Sequence, residues 1–146
     1  MQKNKIYEKL LLLDTHVWIW LLNGDNQLKG TKTLFYINQA AKEARLRVSS
    51  ISVWETGMLE AKGRIRFSVD CLDWVNQALS APGISLVPLT PGIAIASTRL
   101  PGEFHGDPAD RIIVSTARKL SACLVSKDSK ILAYGNEKYL DVLGIK

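Results

Sequence analysis

The chain alternates between two kinds of apolar pattern. Residues 10–13 (LLLL), 46–51 (LRVSSI), 84–88 (ISLVP) and 122–126 (ACLVS) are short, apolar-rich and bounded by polar or turn residues, as strands in a parallel-sheet core should be. Residues 142–145 offer a fifth, final strand. Between them the apolar spacing changes to three and four: in residues 33–45, Leu34, Ile37, Ala41 and Ala44 mark one helical face. Helices are also predicted at 16–22, ended by Asn23-Gly24, at 53–61, closed by Gly63, at Cys71–Leu79, stopped before Pro82-Gly83, and at 93–99, stopped before Pro101-Gly102. Pro108–Leu120 is the best-marked helix, with Pro at its first position and Ala109, Ile112, Ile113, Thr116, Ala117 and Leu120 on one inward face. A helical turn follows at 129–134. Alternating strands and helices predict a single α/β domain over residues 1–146, a mainly parallel sheet with helices on both faces, and a frayed polar lead-in at 1–9.

Ligands of such sheets bind beyond the carboxyl ends of the strands, and acids collect at those places. Asp14 directly follows LLLL, Glu55 follows the strand ending in SSIS, and Asp128 follows LVSK. Asp110 lies in the first turn of the best helix, within HGDPADR. Capping explains part of this pattern. Ser52-Val53-Trp54-Glu55 has capping-box spacing, and Asp107 is placed to cap the helix at Pro108 with Asp110 at its third position. Asp70 and Asp73 repeat that spacing at the start of the helix beginning at Cys71, without a strong strand leading in, and are read as capping alone. Asp14, almost fused to its strand, and Asp110, redundant beside Asp107, are less easily explained as caps.

Crowded carboxylates repel one another, and a divalent cation removes that cost. Oxygen-only donors suit Mg2+ or Mn2+, and such a centre supports phosphodiester hydrolysis. Charge points the same way. Nineteen Lys and Arg against fourteen Asp and Glu give +5, and the surface outside a four-acid metal site would be more basic still, which favours a polyanion such as a nucleic-acid backbone.

The stretches LLLLDTHVWIW, SSISVWETGMLEAKGRI, HGDPADRIIVSTARKL and CLVSKD, taken together and in this order, resemble the PIN-domain ribonucleases of the VapC toxin type. The resemblance covers most of the chain. It implies a PIN-like three-layer α/β/α sandwich and a metal-dependent endoribonuclease paired with a cognate antitoxin, with a homodimer expected. Carried over by position, it makes Asp14, Glu55, Asp110 and Asp128 the catalytic and metal-binding acids, with Mg2+ or Mn2+ as cofactor. Asp107 matches the first acid of the same element and is weighed as a cap. Ser126 stands where relatives often have Thr, and Leu59 where many have Lys. The alternatives are a receiver-like Mg2+-binding signalling module, which would want paired acids after its first strand, and a catalytically inactive PIN-like binding domain.

Other residues have supporting readings. His16 is placed as a helper of Asp14 or a substrate contact, and Arg111 as a partner for an acid or a phosphate. Lys62, with Arg64 and Arg66, forms a basic cluster expected near the active edge. His105, beside a loop Gly, is expected to be solvated. Trp18 and Trp20 are read as packing more than as RNA stacking. Cys71 and Cys123 lack metal or redox spacing and are expected to be reduced thiols. The longest apolar run, Val17 to Leu22, is far below the roughly 18 residues of a membrane span, and the leucines of the lead-in are broken by Asp14 and His16, unlike a signal peptide. A cytoplasmic location is expected.

Overall fold

A computed structural model describes residues 6–146. Five strands form one sheet: β1 (Leu11–Leu13), β2 (Leu46–Ser49), β3 (Ile84–Val87), β4 (Cys123–Val125) and β5 (Asp141–Leu143). Their order is β3-β2-β1-β4-β5 and every pairing is parallel, so LLL is the central strand. Among the described residues seven helices accompany them: α1 (Thr15–Asn23), α2 (Lys32–Lys42), α3 (Ser50–Ala61), α4 (Cys71–Leu79), α5 (Pro91–Ser97), α6 (Pro108–Leu120) and α7 (Ser129–Asn136).

The continuous apolar run at β1 is explained by burial on both faces. Leu11 and Leu13 pack with Val17, Trp18, Ile37, Trp74 and Val75 on the side of α1, α2 and α4. Leu12 points the other way, to Ile113, Val114, Ala117, Ile131 and Tyr134 on α6 and α7. All three leucines are fully buried, each worth about 1.5–3 kcal/mol. This is the predicted three-layer α/β/α arrangement. Gly83, at φ +84°, turns the chain into β3 against the backbone of Ala41, where a Cβ would collide.

Several boundaries differ from expectation for local reasons. Residues 50 and 51 belong to α3, not to the second strand, because the Ser49 hydroxyl accepts from Ile51 N and starts the helix there. The helix expected at 33–45 stops at Lys42, since Ala44 takes a left-handed φ of 56°. The helix expected at 93–99 starts earlier, at Pro91, behind a Thr90 cap. The final strand is Asp141–Leu143, one residue earlier than read at its start and two shorter at its end. The lead-in divides: residues 1–5 lie outside the described residues, but residues 6–9 are anchored, not frayed. Arg45 Nη1 donates to the carbonyls of Ile6 (3.2 Å) and Lys9 (2.7 Å), and Lys9 forms an ion pair with Asp141.

Strand order reverses at the centre, because the chain runs from β1 out to β3 and returns to place β4 on the other side of β1. The crevice at such a reversal, beyond the carboxyl ends of β1 and β4, is where this architecture binds ligands.

Candidate active site

Asp14 leaves β1 at that crevice and is buried. It is also the N-cap of α1: one carboxylate oxygen accepts from Thr15 N at 2.9 Å. The other accepts from the Ser126 hydroxyl at 2.6 Å, so a neighbouring side chain does partner it. Ser126 Oγ in turn accepts from Asp128 N at 3.0 Å, tying the two strand ends together. These hydrogen bonds favour the charged form, yet burial outweighs them and holds the Asp14 carboxyl above its ordinary range.

Glu55 is not the second half of a capping box. The helix begins at Ser50 behind a Ser49 cap, so Ser52 lies inside it, and the Glu55 carboxylate instead accepts from the Thr15 hydroxyl at 2.5 Å. Thr15 Oγ1 lies 2.8 Å from Ser52 Oγ, so this hydroxyl pair joins α1 to α3 beneath the carboxylate. Burial, then the charges of Asp14 and Asp107, pushes Glu55 upward despite the Thr15 bond.

Asp107 is the N-cap of α6, accepting from Asp110 N at 3.1 Å. Asp110 turns inward from the first helical turn. Burial and the facing charges of Asp14, Asp107, Asp128 and Glu55 push its carboxyl up to about 7. Asp128 holds a double position: it caps α7 through Lys130 N (2.8 Å) and Ile131 N (3.1 Å) while facing the same cleft. The cleft holds about 430 Å³ and is lined by Asp14, Thr15, His16, Glu55, Asp107, Asp110 and Asp128, with Trp20 and Lys127 on its rim. Among the described residues, no three His, Cys, Asp or Glu side chains are drawn into a ready ligand cage.

The supporting residues fall into two groups. His16 lines the cleft with an exposed ring, and Ser126 is the hydroxyl that holds Asp14. Arg111 does not face an acid. Its guanidinium donates to the carbonyls of Ser97 (2.9 Å), Phe104 (2.9 Å) and His105 (3.3 Å), pinning the loop before α6. Lys62 lies at the far end of α3, two turns beyond Glu55, and neither it nor Arg64 or Arg66 lines the cleft. His105 is not solvated: its side chain is 21% exposed, and Nε2 lies 3.3 Å from Asp110 Oδ2, a close approach without hydrogen-bond alignment. Nothing in the spacing HGDPAD announced that contact, because it depends on how Arg111 folds the loop. Trp18 is fully buried with its ring 5.2 Å from that of Trp74, whereas Trp20 reaches the cleft. Both cysteines are free, and burial pushes the Cys123 thiol up to about 12.

A five-stranded parallel sheet between helical layers, with carboxylates gathered at its switch point, is the arrangement of a PIN domain, and the PIN domain family profile matches residues 11–137. The chain belongs to that family, which overturns the receiver-like alternative. Over 133 residues it is 32% identical to Ribonuclease VapC22 of Mycobacterium tuberculosis (strain ATCC 25618 / H37Rv), a match covering 90% of this chain and 97% of that protein. Its fold is shared by VapBC2 from Rickettsia felis, solved bound to a DNA fragment from the promoter, with TM-score 0.64 and 16% identity over 93% of this chain and 98% of that one. A toxin-antitoxin complex from Klebsiella pneumoniae also shares it, with TM-score 0.56 and 22% identity over 84% of this chain and 90% of that one.

Proposed function

We propose that this protein is a divalent-metal-dependent endoribonuclease, the toxin of a type II toxin–antitoxin pair. The observation that carries the proposal is the meeting of Asp14, Glu55, Asp107, Asp110 and Asp128 in one cleft of a PIN-domain chain related to a VapC ribonuclease. A cognate antitoxin, an RNA substrate and a homodimer belong to the same reading.

The donor set fits a hard cation. It consists of oxygens only, in a cleft where burial and mutual repulsion raise three of the carboxyls. Asp14, Glu55, Asp110 and Asp128 would hold Mg2+ or Mn2+, and their spacing around an open cleft suits an ion that keeps several of its waters. When bound, the ion supplies Lewis-acid stabilisation of the phosphoryl oxygens and lowers the pKa of water in the cleft. The protein's own part is positioning. Thr15 N–H and the Ser126 hydroxyl fix both oxygens of Asp14, the Thr15 hydroxyl aims Glu55, and the Asp107 cap fixes the helical turn that presents Asp110.

Purified protein is expected to cleave single-stranded RNA with Mg2+ or Mn2+ and to stop when a chelator is added. Asp14→Asn keeps the cap through its one oxygen, reverses the Ser126 contact so that the amide donates to Ser126 Oγ, and loses the charge; it should lower the rate by at least about 100-fold. Full activity in that variant overturns the mechanism.

A further inference from the structure

Lys127 stands apart from the acids around it. It lines the same cleft as five carboxylates, yet among the described residues it forms no ion pair with any of them. Its ammonium instead donates to the neutral Oε1 of Gln27 at 2.6 Å and rests 5.6 Å from the centre of the Trp20 ring. The backbone gives it little freedom to move inward, since Ser126 on one side is bonded to Asp14 and Asp128 on the other caps α7. Its charge is thus held beside the acids by neutral partners, with no carboxylate neutralising it among the described residues. A phosphate entering a cleft of carboxylates is repelled by them, and among the described residues lining the cleft Lys127 is the Lys or Arg placed to meet it. The ring beneath is suited to the rest of a nucleotide. Trp20 packs one side on the core and presents another to the cleft, with His16 one turn earlier on α1 at 6.1 Å between ring centres.

We propose that Lys127 and Trp20 form a nucleotide subsite on the rim of the acidic cleft, taking an RNA nucleotide next to the one whose phosphodiester is cleaved. Lys127 leaves Gln27 and its place over the Trp20 ring for a phosphate oxygen, and the vacated Trp20 face supports the attached base or ribose, a contact that tolerates any sequence. The subsite rests on the ribonuclease reading for its substrate, and it concerns substrate hold, not bond cleavage. Both residues act as substrate contacts separate from the acids.

The test separates the two readings by measuring binding without cleavage. In an Asp14→Asn background, a fluorescent single-stranded oligoribonucleotide is titrated by anisotropy over a range of salt. Adding Lys127→Gln should weaken binding about tenfold and flatten the plot of log K against log salt by roughly 0.7, the loss of one phosphate contact on a single strand. Lys127→Arg should recover most of that loss, and Trp20→Leu should weaken binding about fivefold or more. Lys127 is exposed, so its variants should melt like the parent. With Asp14 intact, Lys127→Gln should raise KM while kcat stays within about twofold. Unchanged affinity and salt slope in Lys127→Gln overturn the subsite, as does a loss confined to kcat. RNA that binds with the expected Lys127 dependence but is never cleaved by the native protein overturns the ribonuclease reading and leaves the subsite standing.

Discussion

Two helix starts in this protein share one spacing and differ in outcome. Asp70 and Asp73 open α4, and Asp107 and Asp110 open α6. In each pair the first acid is the N-cap, Asp70 accepting from Leu72 N at 3.0 Å and Asp107 from Asp110 N at 3.1 Å. In each pair the second acid sits in the first turn, where the helix dipole favours it by about 0.3–1 kcal/mol. There the likeness ends. Asp73 is exposed, whereas the Asp110 side chain keeps only 18% exposure and faces four other carboxylates and His105. The chain enters α4 from the loop after α3, on the flank of the sheet. It enters α6 beside the carboxyl ends of β1 and β4. Two acids three residues apart therefore specify a cap, and the place where the helix begins makes one of them part of a site.

The largest expected effect breaks the pair apart most plainly. Asp110→Asn, nearly isosteric, should reduce RNA cleavage by about 100- to 1,000-fold, the scale of losing one group that stabilises transition-state charge. Asp73→Asn should stay within about twofold. Initial rates on one RNA substrate with the metal in excess decide it, and similar losses in both variants would dissolve the distinction.

The same contrast explains what could be read in advance. The central strand, the best helix and the α/β class were legible because each depends on local pattern, such as LLLL between polar flanks or the inward face of Pro108–Leu120. Asp110 stood out because Asp107 already supplies the cap of its helix, and Asp14 because it ends a buried strand, although it does cap α1. What stayed hidden depends on partners distant in sequence. The Glu55 carboxylate looked like a capping-box member until Ser49 took the cap and Thr15, 40 residues earlier, took the carboxylate. Arg111 looked available to a phosphate until three loop carbonyls claimed it, and that loop carried His105 to Asp110. Lys127 was passed over entirely, since a lysine between a strand and a cap has no local signature.

A second expected effect concerns stability without metal. Asp110 binds its proton up to about 7 in the folded protein but only to about 3.8 in an ordinary setting. Between those values the folded state holds more protons than the unfolded state, so stability falls as pH rises. Asp14 and Glu55, also raised, act in the same direction. Metal-free protein should therefore lose stability from about pH 4 toward neutrality on account of these groups. Asp110→Asn should recover about 1–3 kcal/mol at pH 8 and little at pH 4. Added Mg2+ or Mn2+ should raise the melting temperature of the native chain at pH 8 and do so less for the variant. Asp73→Asn should show neither behaviour. Denaturant melts at the two pH values measure the difference, and an Asp110→Asn gain that is equal at both would remove charge crowding as its cause.

The smallest effect tests whether the two caps are really alike. Asp70→Ala and Asp107→Ala each remove one N-cap, worth about 0.5–2 kcal/mol. At α4 that is the whole effect. At α6, removing Asp107 also removes one of the charges that crowd Asp110, so part of the lost capping is returned when Asp110 is ionised. At pH 8, Asp107→Ala should therefore cost less than Asp70→Ala, by about 0.5 kcal/mol, the size of one partly screened charge contact. At pH 5 Asp110 is largely protonated, the repulsion is absent, and the two costs should converge. A gap that is the same at both pH values would mean that the caps themselves differ, and that Asp107 is not one of the charges that raise Asp110.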